Sequence, residues 1–277
     1  MKPPPLPARL LVLVLAGGLA AAGKPDTRPV AAATGPAWKT VGALPAPEAY
    51  QAAAADDTFV YAITDDRIAK YDRKTGKRLA VSTGDAHHLN SGFVWDGRVY
   101  CAHSNYPNRP ERSQIMVLDP QTMRLTEYKD FGNYGGSLTW AVRRDGHWWC
   151  NFAKYGQENG KTFLVEFDDA WKELGRWTYP PELIRQLGNY SLSGGVWRGG
   201  LLVVTGHTDP VVFRLRLPKD GTVMEWVDRQ RVPFGGQGIA ADPVTGGLVG
   251  INRDKHQVLF AVPPESPATA PTTVPAR

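Results

Sequence analysis

Five of the six histidines in this 277-residue sequence stand beside other residues able to bind or move protons. His87 and His88 precede Asn90 and Ser91, and His103 precedes Ser104, Asn105 and Tyr106. His207 lies two residues before Asp209, and His256 follows Asn252 and Arg253. Imidazole titrates near neutral pH, so His88, His103 and His207 are candidates for a general acid or base. Lys154 and Tyr155 join them, because a lysine or tyrosine serves once its surroundings lower its pKa. The expected division is His88 or His103 as base, with Tyr155 or Lys154 as acid. Around them lie amides, hydroxyls and phenols suited to hold a ligand: Asn90, Asn105, Tyr106, Tyr134, Ser137, Asn151, Tyr190, Ser193, Gln237 and Asn252, with the guanidinium of Arg253. Each has a structural use as well. Asn, Ser and Thr at strand ends satisfy loop backbone groups, and Tyr134 and Tyr190 equally suit packing between sheets.

Other chemistries find less support. His88, His103 and His207 with Asp209 are a zinc-type donor set in kind, but their spacing matches no metal motif. A metal ion at this place is therefore the lesser alternative, and no cofactor is expected. Paired carboxylates of the glycosidase kind are disfavoured, because no glutamate maps to the mouth apart from Glu48 and Glu158, although Asp209 could serve as one partner. No phosphate-cradling glycine loop and no nucleophile elbow is present. The net charge of +5 is scattered among acids, so nucleic acid is not an expected partner. A small molecule or a glycan is, with the chain acting as a monomer.

These residues need a scaffold, and the sequence repeats one. Each of five copies holds two strand-like runs joined by a tight turn. Copy two reads HLNSGFVW, then Asp96-Gly97, then RVYCAH. Copy three turns at Asp145-Gly146 and copy four at Gly199-Gly200. Copy one turns at Asp56-Asp57, and copy five by a longer turn ending Gly246-Gly247. Asp-Gly between apolar runs signals a hairpin, because both residues accept positive φ. A third strand follows (RIAKYD, QIMVLD, FLVEFD, VVFRLRL, QVLFAV), then in copies one to four a fourth. Four antiparallel strands at a period of roughly 40–53 residues predict an all-β, five-bladed β-propeller over residues 37–262. Copy five lacks its own outer strand. The spare segment Trp38–Leu44 is expected to supply it, so that an N-terminal strand completes the last blade and closes the ring. One helix is expected, over Pro180–Leu187. Trp95, Trp140 and Trp197 are read as core at related first-strand positions, and Cys101 and Cys150 as two buried thiols without a disulfide.

Strand direction supplies the functional inference. In each meander the start of strand one and the loop after strand two lie at the same end of the blade. Nearly all the candidates map to that end, whereas His147 maps to the opposite one. Convergent polar groups at one mouth of a rigid scaffold are where ligand sites sit.

The chain ends read differently. Lys2 and Arg9 precede an apolar Leu10–Leu19 run and the small residues Ala20–Ala22. Residues 1–22 are therefore expected to be a signal peptide, with the protein secreted or periplasmic. The run is too short to span a membrane comfortably. Residues 23–36 and 263–277, rich in Pro, Ala and Thr, are expected to be disordered flanks.

At copies two to four the chain resembles the plant-type glutaminyl cyclases, which are five-bladed propellers. The likeness rests on Asn90–Thr122, on the turn YDRKTG at Tyr71–Gly76, and on LLVVTGHTDPVVFRLRL at Leu201–Leu217, which is similar to the family's LFVTGKxWPxLFEV run. The resemblance implies the architecture and adds cyclotransferase to the reactions in view, beside lyase and hydrolase. Where that family has a glutamate ahead of its third-blade strand, this chain has Gly136-Ser137-Leu138-Thr139, and its Trp-Pro is Asp209-Pro210 here. Olfactomedin domains, also five-bladed, show a weaker resemblance. The alternative to an enzyme is a module that holds a protein or glycan at the same mouth without turnover.

Overall fold

A computed structural model describes residues 37–264. The expected signal peptide and linker, and all but the first two residues of the expected tail, lie outside the described residues. Five four-stranded antiparallel sheets ring an axis. Blade one is β2 (Ala52–Ala55), β3 (Phe59–Ile63), β4 (Ile68–Asp72) and β5 (Arg78–Val81). Blade two is β6 (Leu89–Trp95), β7 (Arg98–Ser104), β8 (Ser113–Asp119) and β9 (Arg124–Gly132). Blade three is β10 (Ser137–Arg144), β11 (His147–Ala153), β12 (Phe163–Phe167) and β13 (Glu173–Thr178). Blade four is β14 (Gly194–Arg198), β15 (Leu201–Thr205), β16 (Val211–Arg216) and β17 (Glu225–Arg231). Blade five takes β18 (Ala240–Ala241), β19 (Leu248–Asn252) and β20 (Gln257–Val262) from the C-terminal region.

The fourth strand of blade five is β1 (Lys39–Pro45), paired antiparallel to β20 from Lys39↔Val262 to Pro45↔Gln257. The spare N-terminal segment therefore closes the ring as the sequence implies. A second device spans the same seam. Arg73, after β4, meets Asp242, after β18, through Nη1–Oδ1 at 2.7 Å and Nη2–Oδ2 at 2.8 Å. Asp242 is buried and also accepts the Thr245 amide and hydroxyl.

The hairpins obey their turn chemistry. Asp96 and Gly97 have φ of 48° and 69°, and Asp145 and Gly146 have 51° and 83°. Apolar clusters fill the seams between blades rather than the axis. Trp38, Val196, Val203, Val212, Phe234 and Leu259 join blades four and five, for example. Burying each large apolar side chain stabilises the ring by about 1.5–3 kcal/mol. Near the axis two glycines have no room for a side chain. A Cβ on Gly238 would lie 2.5 Å from Ala52 Cβ and 2.9 Å from Ser91 Cα, and one on Gly195 would lie 2.7 Å from the Trp140 ring.

Two expectations are refined. Trp95 is paired with Arg98 directly beside its hairpin turn, whereas Trp197 is paired with Leu202 one step further from its own, so the two are one residue out of register. Trp140 pairs with Asn151 further in, where it underlies Gly195 of the next blade. The loop after β11 is not irregular: Gly156–Lys161 forms a 3₁₀ helix. The α-helix falls where expected, at Pro181–Leu187 (α1), and Cys101 and Cys150 are buried and unpaired with each other. Among the described residues, no helix is long and apolar enough to cross a membrane.

Candidate functional site

A cavity of about 560 Å³ opens at the end of the channel where the first strands begin. Every blade contributes to it. Gln51 precedes β2; His88 and Asn90 stand at the start of β6, with Tyr106 on the following β7–β8 loop; Thr139 is in β10. Tyr155, Gly156 and Gln157 follow β11, Asn189 to Ser193 precede β14, His207 follows β15, and Gln237 precedes β18. The repeat places equivalent loops side by side, so residues far apart in sequence converge.

None of these lining residues is Asp, Glu, Lys or Arg. The wall consists of amides, hydroxyls, two imidazoles, three phenol rings and a leucine. The rings fall into two groups. Tyr106 lies 5.4 Å from His88 and 4.9 Å from Tyr155, centroid to centroid. Tyr190 stacks on His207 at 4.0 Å and 6°.

His88 is the best-supported base. Its Nδ1 lies 3.1 Å from Asp65 Oδ1. A carboxylate accepts, so Nδ1 is the nitrogen that bears the proton toward Asp65, and in the neutral ring the lone pair is on Nε2. Asp65 itself is held by Gln51 Nε2 at 2.5 Å. The His88 hydrogen bond, working against burial and helped by Gln51, holds the Asp65 carboxyl below its ordinary value. Burial lowers the His207 pKa to about 4, with the Arg253 charge adding to the effect, so this ring is neutral at pH 7. Burial raises the Tyr155 pKa, opposed by a hydrogen bond with Ser137, so the phenol keeps its proton.

The floor is rigid. Tyr179 Oη donates to Asn151 Oδ1 at 2.7 Å, Asn151 Nδ2 to Thr139 Oγ1 at 2.8 Å, and Thr139 Oγ1 to the Leu192 carbonyl at 2.7 Å. Asn159 of the 3₁₀ helix reaches the Gly188 and Tyr190 carbonyls, fixing the segment that presents Tyr190. Gln237 adopts φ of 69°, a left-handed conformation that costs a non-glycine residue about 1 kcal/mol or more. Its side-chain amide donates to the His207 carbonyl at 2.7 Å, and its own carbonyl accepts from Thr205 Oγ1 at 2.5 Å.

The sequence candidates divide in two. His88, Asn90, Tyr106, Tyr155, Tyr190, Ser193, His207 and Gln237 line the cavity. The others stand behind it or at its rim. His103 is buried, with Nε2 accepting the His87 amide at 3.1 Å and Nδ1 3.0 Å from Gln114 Oε1. Both nitrogens are thereby occupied, and the ring braces the segment that carries His88. Lys154 is paired with Glu111 at 3.0 Å. Asn105 closes its own loop onto Pro110 and Arg112. Tyr134 packs 4.6 Å from Phe152 and donates to Glu173. Ser137 and Asn151 are buried beneath the wall. Asn252 caps the turn at Lys255. Arg253 bonds Gln51 and Tyr50 at the rim. The four-residue metal set does not assemble: among the described residues, no group of three or more His, Cys, Asp or Glu is placed to hold an ion.

Sequence reasoning missed Asp65, Gln51, Thr139, Gly156, Gln157, Asn189 and Leu192. For Asp65 a signal existed. It lies in the loop after the second strand of copy one, the same loop that gave Tyr106 in copy two and His207 in copy four.

No family model and no curated protein matches the sequence. The fold does match solved structures. The glutaminyl cyclase of Myxococcus xanthus aligns with a TM-score of 0.54 at 11% identity, covering 81% of this chain and 95% of that one. A chain of a mitotic checkpoint complex aligns with a TM-score of 0.43 at 8% identity, over 75% of this chain and 74% of that one. Neither is an olfactomedin domain. The cyclase is similar to this chain in fold, and the five-bladed resemblance read in copies two to four holds at the level of architecture.

Proposed function

We propose that the channel mouth binds a small hydroxyl-rich ligand, a saccharide, and that His88 backed by Asp65 takes a proton from it in a lyase, hydrolase or cyclotransferase reaction. The observation that carries this reading is the wall: amides, hydroxyls and aromatic faces from five blades, without one charged side chain. Such a surface offers hydrogen bonds to hydroxyl groups and stacking to the apolar faces of sugar rings. Tyr155 keeps its proton and lines the same cavity, so it serves as a hydrogen-bond donor to the ligand; its raised pKa disfavours it as the general acid. The lack of a carboxylate pair favours a second reading, in which the same mouth holds a glycan without turning it over.

The protein is proposed to work outside the cytoplasm, as a monomer. Support for export is the Lys2–Arg9, Leu10–Leu19 and Ala20–Ala22 pattern. N-terminal sequencing of the mature protein tests it, and a chain still beginning at Met1 refutes it.

A glycan panel screened by thermal unfolding, with product analysis, tests the ligand. A binder present at 100 times its Kd stabilises the native state by about 2.7 kcal/mol. Stabilisation lost in Tyr190→Ala and Gln237→Ala is the expected result. Turnover lost in His88→Ala separates enzyme from module. No stabilisation by any glycan, or stabilisation indifferent to both mouth substitutions, contradicts the reading.

A further inference from the structure

Arg253 sits in the turn between β19 and β20, beside a cavity whose wall has no charge of its own. Its guanidinium lies 4.2 Å over the Tyr50 ring. Nε donates to the Tyr50 carbonyl at 2.7 Å, and Nη2 to Gln51 Oε1 at 3.3 Å. These anchors give the group one orientation before any ligand arrives. Arg73, Arg112 and Arg214 each hold a carboxylate, of Asp242, Asp130 and Asp228, whereas Arg198 and Arg229, away from the mouth, bond the Gly246 carbonyl and the Gln186 amide. Arg253 holds none, as no carboxylate of the described residues lies within the 4.0 Å of an ion pair. It is only half-exposed, and desolvation lowers its pKa, the opposite of what an ion pair does. A partly desolvated charge is normally compensated by a partner.

Asp65 is not that partner. Gln51 stands between them, accepting from Arg253 with Oε1 and donating to Asp65 with Nε2, while Asp65 holds His88. Arg253, Gln51, Asp65 and His88 thus form one line across blades five, one and two. The Arg253 charge is felt by both Asp65 and His207, which places it toward the mouth.

We propose that Arg253 is the docking point for a carboxylate, so that the site takes an acidic saccharide, a uronate, with its hydroxyls on the amide wall and its carboxylate on the guanidinium. A planar guanidinium matches a carboxylate better than any other side chain does. The proposal rests on the saccharide reading above and narrows it.

The test is calorimetric titration of the mature protein with trisaccharides of galacturonate, glucuronate and mannuronate, each as free acid and as methyl ester, and with sulfated galactose trisaccharides. At least one free acid is expected to bind tenfold or more tighter than its ester, a preference that weakens with added salt. In Arg253→Gln the preference disappears, read as the ratio of acid to ester affinity measured on that same variant. Arg253→Lys retains part of it. Equal binding of acid and ester, a preference that survives in Arg253→Gln, or tightest binding of the sulfated sugars overturns the proposal and leaves the saccharide reading standing. Failure of every saccharide to bind removes both.

Discussion

His88 Nδ1 lies 3.1 Å from Asp65 Oδ1, a contact between the first two blades made because the loop after β3 and the start of β6 lie at the same end of the ring. The carboxylate fixes the imidazole tautomer and leaves Nε2 as the basic nitrogen. In ¹⁵N spectra at pH 7, His88 is expected to be protonated on Nδ1. Asp65→Asn should give a mixture of tautomers, and lower any turnover by about 10²–10⁴. An Nε2-protonated His88 in the native protein would refute the assignment.

His103 should impose a pH dependence on folding. Burial, relieved in part by Gln114, lowers its pKa to about 4. The unfolded chain has the ordinary value of about 6.5. The unfolded state therefore binds more protons between these values. The stabilisation is complete above about pH 6.5 and is lost as the pH falls toward 4. It amounts to about 3 kcal/mol for a shift of this size. His103→Gln should flatten the unfolding free energy between pH 7 and 4, as read by urea titration. An unchanged slope would contradict the role.

Near the axis, Gly195 has no room for a side chain. Gly195→Ala would drive a methyl group into the Trp140 ring at 2.7 Å. The expected cost is about 1–3 kcal/mol, seen as a lower urea midpoint. Gly160→Ala, with nothing within 4 Å and an ordinary φ, is the control and should leave the midpoint alone. Equal effects of the two would show that the blades are not packed this tightly.

The ring closure is held by charge as well as by β1. Asp242→Ala leaves the Arg73 guanidinium without its carboxylate in a largely buried seam. The expected loss is about 3–5 kcal/mol. Burial raises the Asp242 pKa, but the Arg73 and Thr245 hydrogen bonds outweigh it, and the net shift is downward. This contribution is therefore present above the unfolded value of about 3.9 and lost as the pH falls further. A loss below about 1 kcal/mol in urea titration would show that β1 alone closes the ring.

Much of this was legible in the sequence, because hairpin turns and strand alternation are local. Asp96-Gly97 and Asp145-Gly146 announce their blades, and the missing fourth strand of copy five points to Trp38–Leu44. The end of the channel followed from strand direction alone. The identity of the lining did not, since it depends on side-chain rotation at the rim. Lys154 and Tyr155 are neighbours, yet one turns to Glu111 and the other to the cavity. His103 and His88 read alike, but the β7–β8 pairing sets His103 opposite Gln114 and buries it. Asp65 stayed hidden because the Thr64–Arg67 turn reads as a generic polar turn.

Histidine ring spectra give the most direct test of the mouth as the binding site, because the molecule contains its own control. His88 and His207 line the cavity, whereas His147 lies at the hairpin end, 2.7 Å from Glu166. Adding a saccharide that stabilises the protein should shift the His88 and His207 resonances and leave His147 unmoved. A shift at His147 with His88 and His207 unchanged would place the ligand elsewhere and contradict the account.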